Sequence, residues 1–482
     1  MIFDLQFLLL YFLPLIPKIQ HFKNINNIEN YAELSLKYAN LLNDEQKKIY
    51  NYIISKDRKT NMILIEGAGG TGKAFLYNAL IYYFLAQNKN IKWIGIASLL
   101  LYRGTTSHRI WKLPLTLTDN MSSNFKTDLD KEKIKNCDVF LWKEASMIPL
   151  KALEFADKIV RDICNNDTTP FAGKLLILGG DFRQLLPVIK NATKEKILDE
   201  CIKNSELWTH FKILKLSKNM RSENEDFQKF LLNIGDGNIS SMKIPDEWLT
   251  NDICSTIYKK ELNTENDLTS RIILCCHNND VNNINNKILS KLNTEEKTYY
   301  SVDYISHKGS DLADEKLQLD YPIEEINKIK IPGLPFHELK LKIGAIVILL
   351  RNLNLHDGLC NGTRMKVTEL YEFNIKVMIL TGTSRGKMVF IPKVLMDSQE
   401  NSLPFILNRR QFPIALAFAI TINKSQGQSF DHVGIFYRRS LFSHGQLYVD
   451  LSRCRHPHNL FIENASEYNE IQNIVWKKIL RK

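Results

Sequence analysis

The stretch Gly67-Ala68-Gly69-Gly70-Thr71-Gly72-Lys73-Ala74 decides how this chain is read. It meets the phosphate-binding pattern GxxxxGK[ST] at every defined position except the last, where Ala74 stands in place of a hydroxyl residue. An apolar run at 62–65 precedes it, and a helical run with Phe75, Leu76, Leu80 and Phe84 follows. That is the strand–loop–helix context the motif requires. Glycines let successive backbone N–H groups turn toward the β- and γ-phosphates, the helix N-terminus adds positive potential, and Lys73 supplies a charge for the γ-phosphate. The missing hydroxyl is the one that ordinarily ligates magnesium.

Outward from the loop, short apolar runs alternate with helical patterns from 42 to about 224, which predicts a parallel sheet with crossover helices. Strands are predicted at 62–65, 91–96, 139–142 and 175–178, with helices at 75–85 and 150–163. The polar stretch 222–268, with Gly235-Asp236-Gly237 and Pro245, reads as an interdomain connection. A further strand is predicted at 271–275. Beyond Gly333-Leu334-Pro335 the pattern turns β-rich at 345–350, 365–370, 375–380 and 387–391, with turns at Asn361-Gly362 and Thr381-Gly382, consistent with a small barrel.

Composition sets the outer bounds. A chain of 482 residues is too long for one core, and 44% hydrophobic with 24% charged residues is globular rather than disordered. A net charge of +11 suits an anionic partner such as nucleic acid. The eight cysteines show neither CxxC pairs nor zinc spacing, the pattern of reduced thiols in an intracellular protein. The apolar run 7–17 contains Pro14 and falls short of the roughly 20 residues a bilayer helix needs, so no membrane association is expected.

A phosphate loop needs an acidic second motif at a strand end. The candidate is Val139-Phe140-Leu141-Trp142-Lys143-Glu144-Ala145-Ser146-Met147, where Glu144 occupies the place of a general base and Lys143 that of the magnesium carboxylate. A third strand ends in Gly179-Gly180-Asp181-Phe182-Arg183-Gln184, and Gln184 at such a tip can touch both γ-phosphate and attacking water. Asn219-Met220-Arg221 and Leu451-Ser452-Arg453 each offer an arginine.

With Lys424-Ser425-Gln426-Gly427-Gln428-Ser429 and Leu42-Asn43-Asp44-Glu45-Gln46 added, the ordered motifs from about 42 to 460 resemble the PIF family of superfamily-one DNA helicases, above all the helicase portion of Helitron-type transposons. The resemblance implies an α/β, P-loop NTPase fold of two RecA-like domains, at 41–225 and 226–482, after an N-terminal extension at 1–40. It places a short wedge insertion in the first domain and a small β-barrel at about 365–410 in the second. It also implies that Gln46 reads the adenine of ATP and that Gly67, Gly69, Gly70, Thr71, Gly72, Lys73 and Ala74 line its phosphates. Glu144 is then the base, Gln184 the sensor, and Arg221 and Arg453 the arginine fingers. Thr106, His108, Lys424, Ser425 and Gln426 face the DNA channel or couple it to the nucleotide. The implied activity is ATP-driven, 5′-to-3′ unwinding on single-stranded and tailed duplex DNA, in the nucleus, with links to DNA repair, recombination and telomere maintenance.

The sequence departs from that pattern at the metal. Magnesium is expected with ATP, yet Ala74 and Lys143 remove both protein anchors. An ammonium about 5 Å from a divalent ion, at an effective dielectric near 20, would be repelled by roughly 6 kcal/mol before it swings away. Trp93-Ile94 and Asp450 stand where the family has small residues. The alternative reading is a non-hydrolysing, DNA-binding remnant of a transposon helicase.

Overall fold

The computed structural model describes residues 28–95, 106–114, 117, 125, 127–189, 192–220, 224–258, 268–307, 321–354, 357–382, 384–398, 403–465 and 470–481. The run 7–17, the motif residues 96–104 and Arg221 lie outside them.

Five strands form the first sheet: β1 (Met62–Gly67), β2 (Ile91–Ile94), β3 (Val139–Lys143), β4 (Leu175–Gly180) and β5 (Lys212–Leu216), in the order β2-β3-β4-β1-β5. All neighbours are parallel. Alternate side chains go to opposite faces. Ile63, Ile65, Val139, Leu141, Leu175 and Ile177 pack with Leu76 and Leu80 of the helix Lys73–Ala86. Leu64, Phe140, Trp142, Leu176 and Leu178 pack with Leu153, Ala156 and Val160 of the helix Leu150–Cys164. Burial on both faces explains why these strands are continuously apolar. Each such side chain contributes about 1.5–3 kcal/mol. Trp93 and Ile94 are buried in the same two cores, one on each face.

The reading of 222–268 as a bare connection is corrected. Asn224 caps the helix Glu225–Gly235 by accepting from Phe227 N–H, and a second helix spans Ile253–Tyr258. Phe227, Ile234, Trp248, Ile253 and Ile257 belong to the largest core. Their helical spacing was hidden by the polar residues between them.

A second parallel sheet runs Ala419–Thr421, Arg271–Cys275, His432–Tyr437 and Leu460–Asn464. Gly434 lets the helix Ile253–Tyr258 lie close, because a Cβ there would sit 2.7 Å from Ile253 and 2.8 Å from Ile257. The two parallel sheets sit in separate cores. Antiparallel strands between Glu296 and Leu416 pair in ladders of five, three and two strands. Val302–Ser306 and Ile346–Leu349, from outside 365–410, pair into them. Inside this region Arg409 clamps Asp303 with nitrogen–oxygen distances of 2.6 and 3.0 Å, both side chains fully buried. All eight cysteines are free thiols. Among the described residues no helix is long and apolar enough to cross a membrane.

Candidate nucleotide cleft

The strand tips of β1, β3 and β4 lie side by side, so the phosphate loop, Lys143-Glu144 and Gly179–Asp181 leave the sheet at one edge. The carboxyl ends of parallel strands are where such sheets bind ligands. Gly70 and Gly72 take positive φ (92° and 77°), as the loop's turns demand. Lys73 Nζ folds back to donate to the Gly67 carbonyl and, at 3.0 Å, to that of Ala68. Gln46, buried in a capping box with Asn43, donates to the Thr71 and Gly72 carbonyls at 3.4 Å. Asn219 Nδ2 and Met220 N–H hold the carbonyls of Gly69 and Gly70 at 3.2 and 2.8 Å.

At the tip of β3, Glu144 adopts the left-handed region (φ 58°, ψ 47°). For a non-glycine residue that costs on the order of 1–3 kcal/mol, a strain that gathers at functional sites. Lys143 beside it is partly buried, with Nζ 5.6 Å from the centre of the Tyr77 ring. Burial pulls its ammonium down to about 8; Glu144 opposes that and Lys73 adds to it. Tyr77 sits one helical turn beyond Ala74. Its hydroxyl is buried with no partner among the described residues, and burial together with Glu144 pushes its phenol far up. Gly179 exists to admit it, since a Cβ there would coincide with the Tyr77 hydroxyl.

The residues at this corner do not fit a magnesium ion. Ala74 presents a methyl group and Lys143 a cation. Among the described residues no three His, Cys, Asp or Glu side chains converge as metal ligands.

The second domain closes on these tips. Gln426 Nε2 donates to Glu144 Oε2 at 2.9 Å. Tyr448 accepts from Gly69 N–H at 3.1 Å and donates to Asp181 Oδ2 at 2.9 Å. His444 Nε2 meets the Phe182 carbonyl at 2.9 Å. Gln184 Nε2 donates to Asp181 at 3.3 Å, while its Oε1 is buried with no partner among the described residues. Ala68, Gly69, Asn219, Phe227, Leu231 and Tyr448 line the remaining cavity of about 20 Å³, room for roughly one water.

Gln46, the loop, Glu144 and Gln184 lie together at this edge; Gln426, expected to face the DNA channel or couple it to the nucleotide, lies on Glu144. Arg453 is placed differently from an extended finger. Its guanidinium is buried within its own domain, donating to the carbonyls of Val449 (3.0 Å), Gln428 (3.0 Å) and Ser425 (3.5 Å) and to Ser452 Oγ (2.9 Å). Ser425 Oγ is likewise spent on the Ile422 carbonyl at 2.7 Å. Thr106 begins the short helix Ser107–Trp111, which exposes His108, and Lys424 is exposed on the turn Ile422–Ser425. Tyr448, Asp181 and Tyr77 were not singled out from the sequence. Two are tyrosines on apolar helices, indistinguishable there from core residues.

Two family models match the chain: PIF1-like helicase over residues 41–244, and the 2B domain of the DNA helicase Pif1 over residues 324–370. The chain is 30% identical over 429 residues to the ATP-dependent DNA helicase Pif1 of Campylobacter jejuni, covering 84% of this chain and 90% of that protein. It is 26% identical to the Xenopus laevis ATP-dependent DNA helicase PIF1, across 89% of this chain but only 62% of that longer protein. Among solved structures, Bacteroides Pif1 in complex with ADP-AlF3 and single-stranded DNA superposes with a TM-score of 0.68 at 26% identity, over 92% of this chain and 96% of that one. A structure of two coordinating Pif1 helicases at forked double-stranded DNA gives the same TM-score and identity, covering 92% and 95%.

Proposed function

We propose, for a chain that belongs to the PIF1-like helicase family, that it is an ATP-dependent DNA helicase which moves 5′-to-3′ on single-stranded DNA and opens tailed duplexes. The observation that carries the proposal is the Gln426–Glu144 hydrogen bond. It ties a motif of the second domain directly to the candidate base in the first, so a change at either reaches the other. ATP between the domains displaces the closed contacts, and each closure shifts the two DNA grips relative to one another. In this reading Glu144 activates water, Gln184 senses the γ-phosphate, and Arg221 and Arg453 supply positive charge, Arg453 after leaving its present carbonyl partners. Thr106, His108 and Lys424 face the DNA, while the buried Ser425 and Gln426 couple the DNA channel to the nucleotide. The domains divide near 225, with the β-rich insertion in the second. Work in repair, recombination or telomere maintenance, and a nuclear location, belong to the same proposal; the Helitron likeness rests on motifs alone.

Strand separation on duplexes with a 5′ or a 3′ single-stranded tail tests the polarity. The 5′-tailed substrate should open and the 3′-tailed one stay largely intact; the reverse preference would sink the assignment. Affinity for single strands should fall with log salt at about −0.7 per phosphate neutralised, without strong sequence preference. The relatives lend no support to a non-hydrolysing remnant. Ala74 and Lys143 alone speak for it, and phosphate release with and without single-stranded DNA separates the two readings.

A further inference from the structure

We propose that Lys143 is a built-in replacement for the divalent cation: its ammonium neutralises the nucleotide's phosphates, and this cleft binds a metal-free nucleoside triphosphate. The inference rests on the nucleotide reading above and deepens it by naming the ionic form of the ligand.

Three observations converge. First, Lys143 lies at the carboxyl end of β3, paired in register with Gly179 of β4, at the edge where the phosphate loop leaves the sheet. Second, among the described residues its ammonium has neither an ion pair nor a hydrogen-bond acceptor; its described neighbour is the face of Tyr77, 5.6 Å away. Glu144 beside it offsets its burial only in part, so the ammonium favours any site occupant that brings negative charge. Third, the seat is furnished for a lysine. Gly179 clears space for the Tyr77 hydroxyl, and Tyr77 presents its ring to Nζ, an attraction worth about 0.5–2 kcal/mol. Ala74, exposed in the first turn of the loop helix, leaves no oxygen to compete for a metal.

Lys73 and Lys143 would together face the triphosphate, one from the loop and one from the strand tip. Each is a compact charge with three donors on a flexible stem, and such a group can serve phosphate oxygens without fixed coordination geometry. Lys73, now bonded to the Gly67 and Ala68 carbonyls, would exchange those for phosphate oxygens. A divalent ion entering the same place would meet the Lys143 charge, so added magnesium should compete rather than help.

The experiment is equilibrium binding of ATP to the full chain by calorimetry, in EDTA and in millimolar magnesium, with thermal melts as a folding control. Wild type is expected to bind in EDTA at least as tightly as in magnesium. Lys143→Met should weaken binding in EDTA about tenfold or more without rescue by magnesium. Ala74→Thr with Lys143→Asp should convert the site to magnesium-dependent binding. A wild type that loses about tenfold or more in EDTA overturns the proposal, as does a folded Lys143→Met that binds like wild type. If wild type binds ATP in neither buffer, the nucleotide reading itself fails, an outcome distinct from magnesium dependence.

Discussion

The corner of the cleft where β3 meets the phosphate loop and the corner where β4 meets the second domain are built on opposite terms. At the β4 corner three polar contacts cross the interface. Asp181 accepts from Tyr448, Gly69 N–H donates to Tyr448, and His444 holds the Phe182 carbonyl. At the β3 corner, among the described residues, Lys143 makes no ion pair and the Tyr77 hydroxyl has no partner, while Glu144 accepts from Gln426 across the interface. On the proposed reading, Ala74 and Lys143 alter the metal position while the contacts between Gln426 and Glu144 and between Tyr448 and Asp181 remain.

The sharpest way to break this contrast is Glu144→Gln. DNA-stimulated phosphate release should fall by about 10²–10⁴ while ATP still binds. A variant with wild-type turnover would remove Glu144 from the chemistry. Next in size, Ala74→Thr with Lys143→Asp should raise magnesium-dependent phosphate release about tenfold or more over wild type, with each single change giving less, since both act on one site. A folded, DNA-binding double variant with unchanged turnover would place the limitation elsewhere.

Two smaller effects probe the β4 corner. Asp450, on the same helix as Tyr448, is fully buried and accepts from the Tyr437 hydroxyl at 2.9 Å. Burial pushes its carboxyl well above the usual carboxylate range, outweighing the Tyr437 hydrogen bond and the nearby Arg453. The folded chain thus keeps a proton that the unfolded chain releases, and stability falls as pH rises above about 4. Asp450→Asn should gain about 1–3 kcal/mol at neutral pH, with the advantage shrinking toward pH 4 in chemical denaturation series. A gap independent of pH would contradict a protonated Asp450. Finally, Tyr448→Phe removes the bridge between Gly69 and Asp181 and should cost about 1 kcal/mol of stability without nucleotide. Saturating ATP should narrow that difference, because phosphate then takes the Gly69 N–H; an equal loss in both conditions would leave Tyr448 a purely structural contact.

Most of the first domain was legible because a parallel sheet buried on both faces writes itself as apolar runs, as at 62–65, 139–142 and 175–178. The edge strand Lys212–Leu216 carries lysines at 212 and 215 that interrupt its apolar run. The helix Glu225–Gly235 lies in a stretch whose polar composition masks its apolar spacing. The second sheet was the hardest to foresee. Arg271–Cys275 pairs with Ala419–Thr421 across some 150 residues of intervening chain, and a three-residue strand carries no period of its own.

By itself the sequence determined the phosphate-loop pattern, a candidate base at a strand tip, a candidate sensor, the order of the motifs and the unusual residues Ala74 and Lys143. These are local patterns whose chemistry follows from residue type and spacing. Only the tertiary structure decided that Gln426 donates to Glu144 from 282 positions away, and that Tyr448 occupies the Gly69 N–H. It also decided that Arg453 is spent on carbonyls of its own domain, and that Lys143 rests on Tyr77 rather than on a carboxylate. Those facts depend on how two separately folded sheets close on one another, and no local period in the chain encodes that closure.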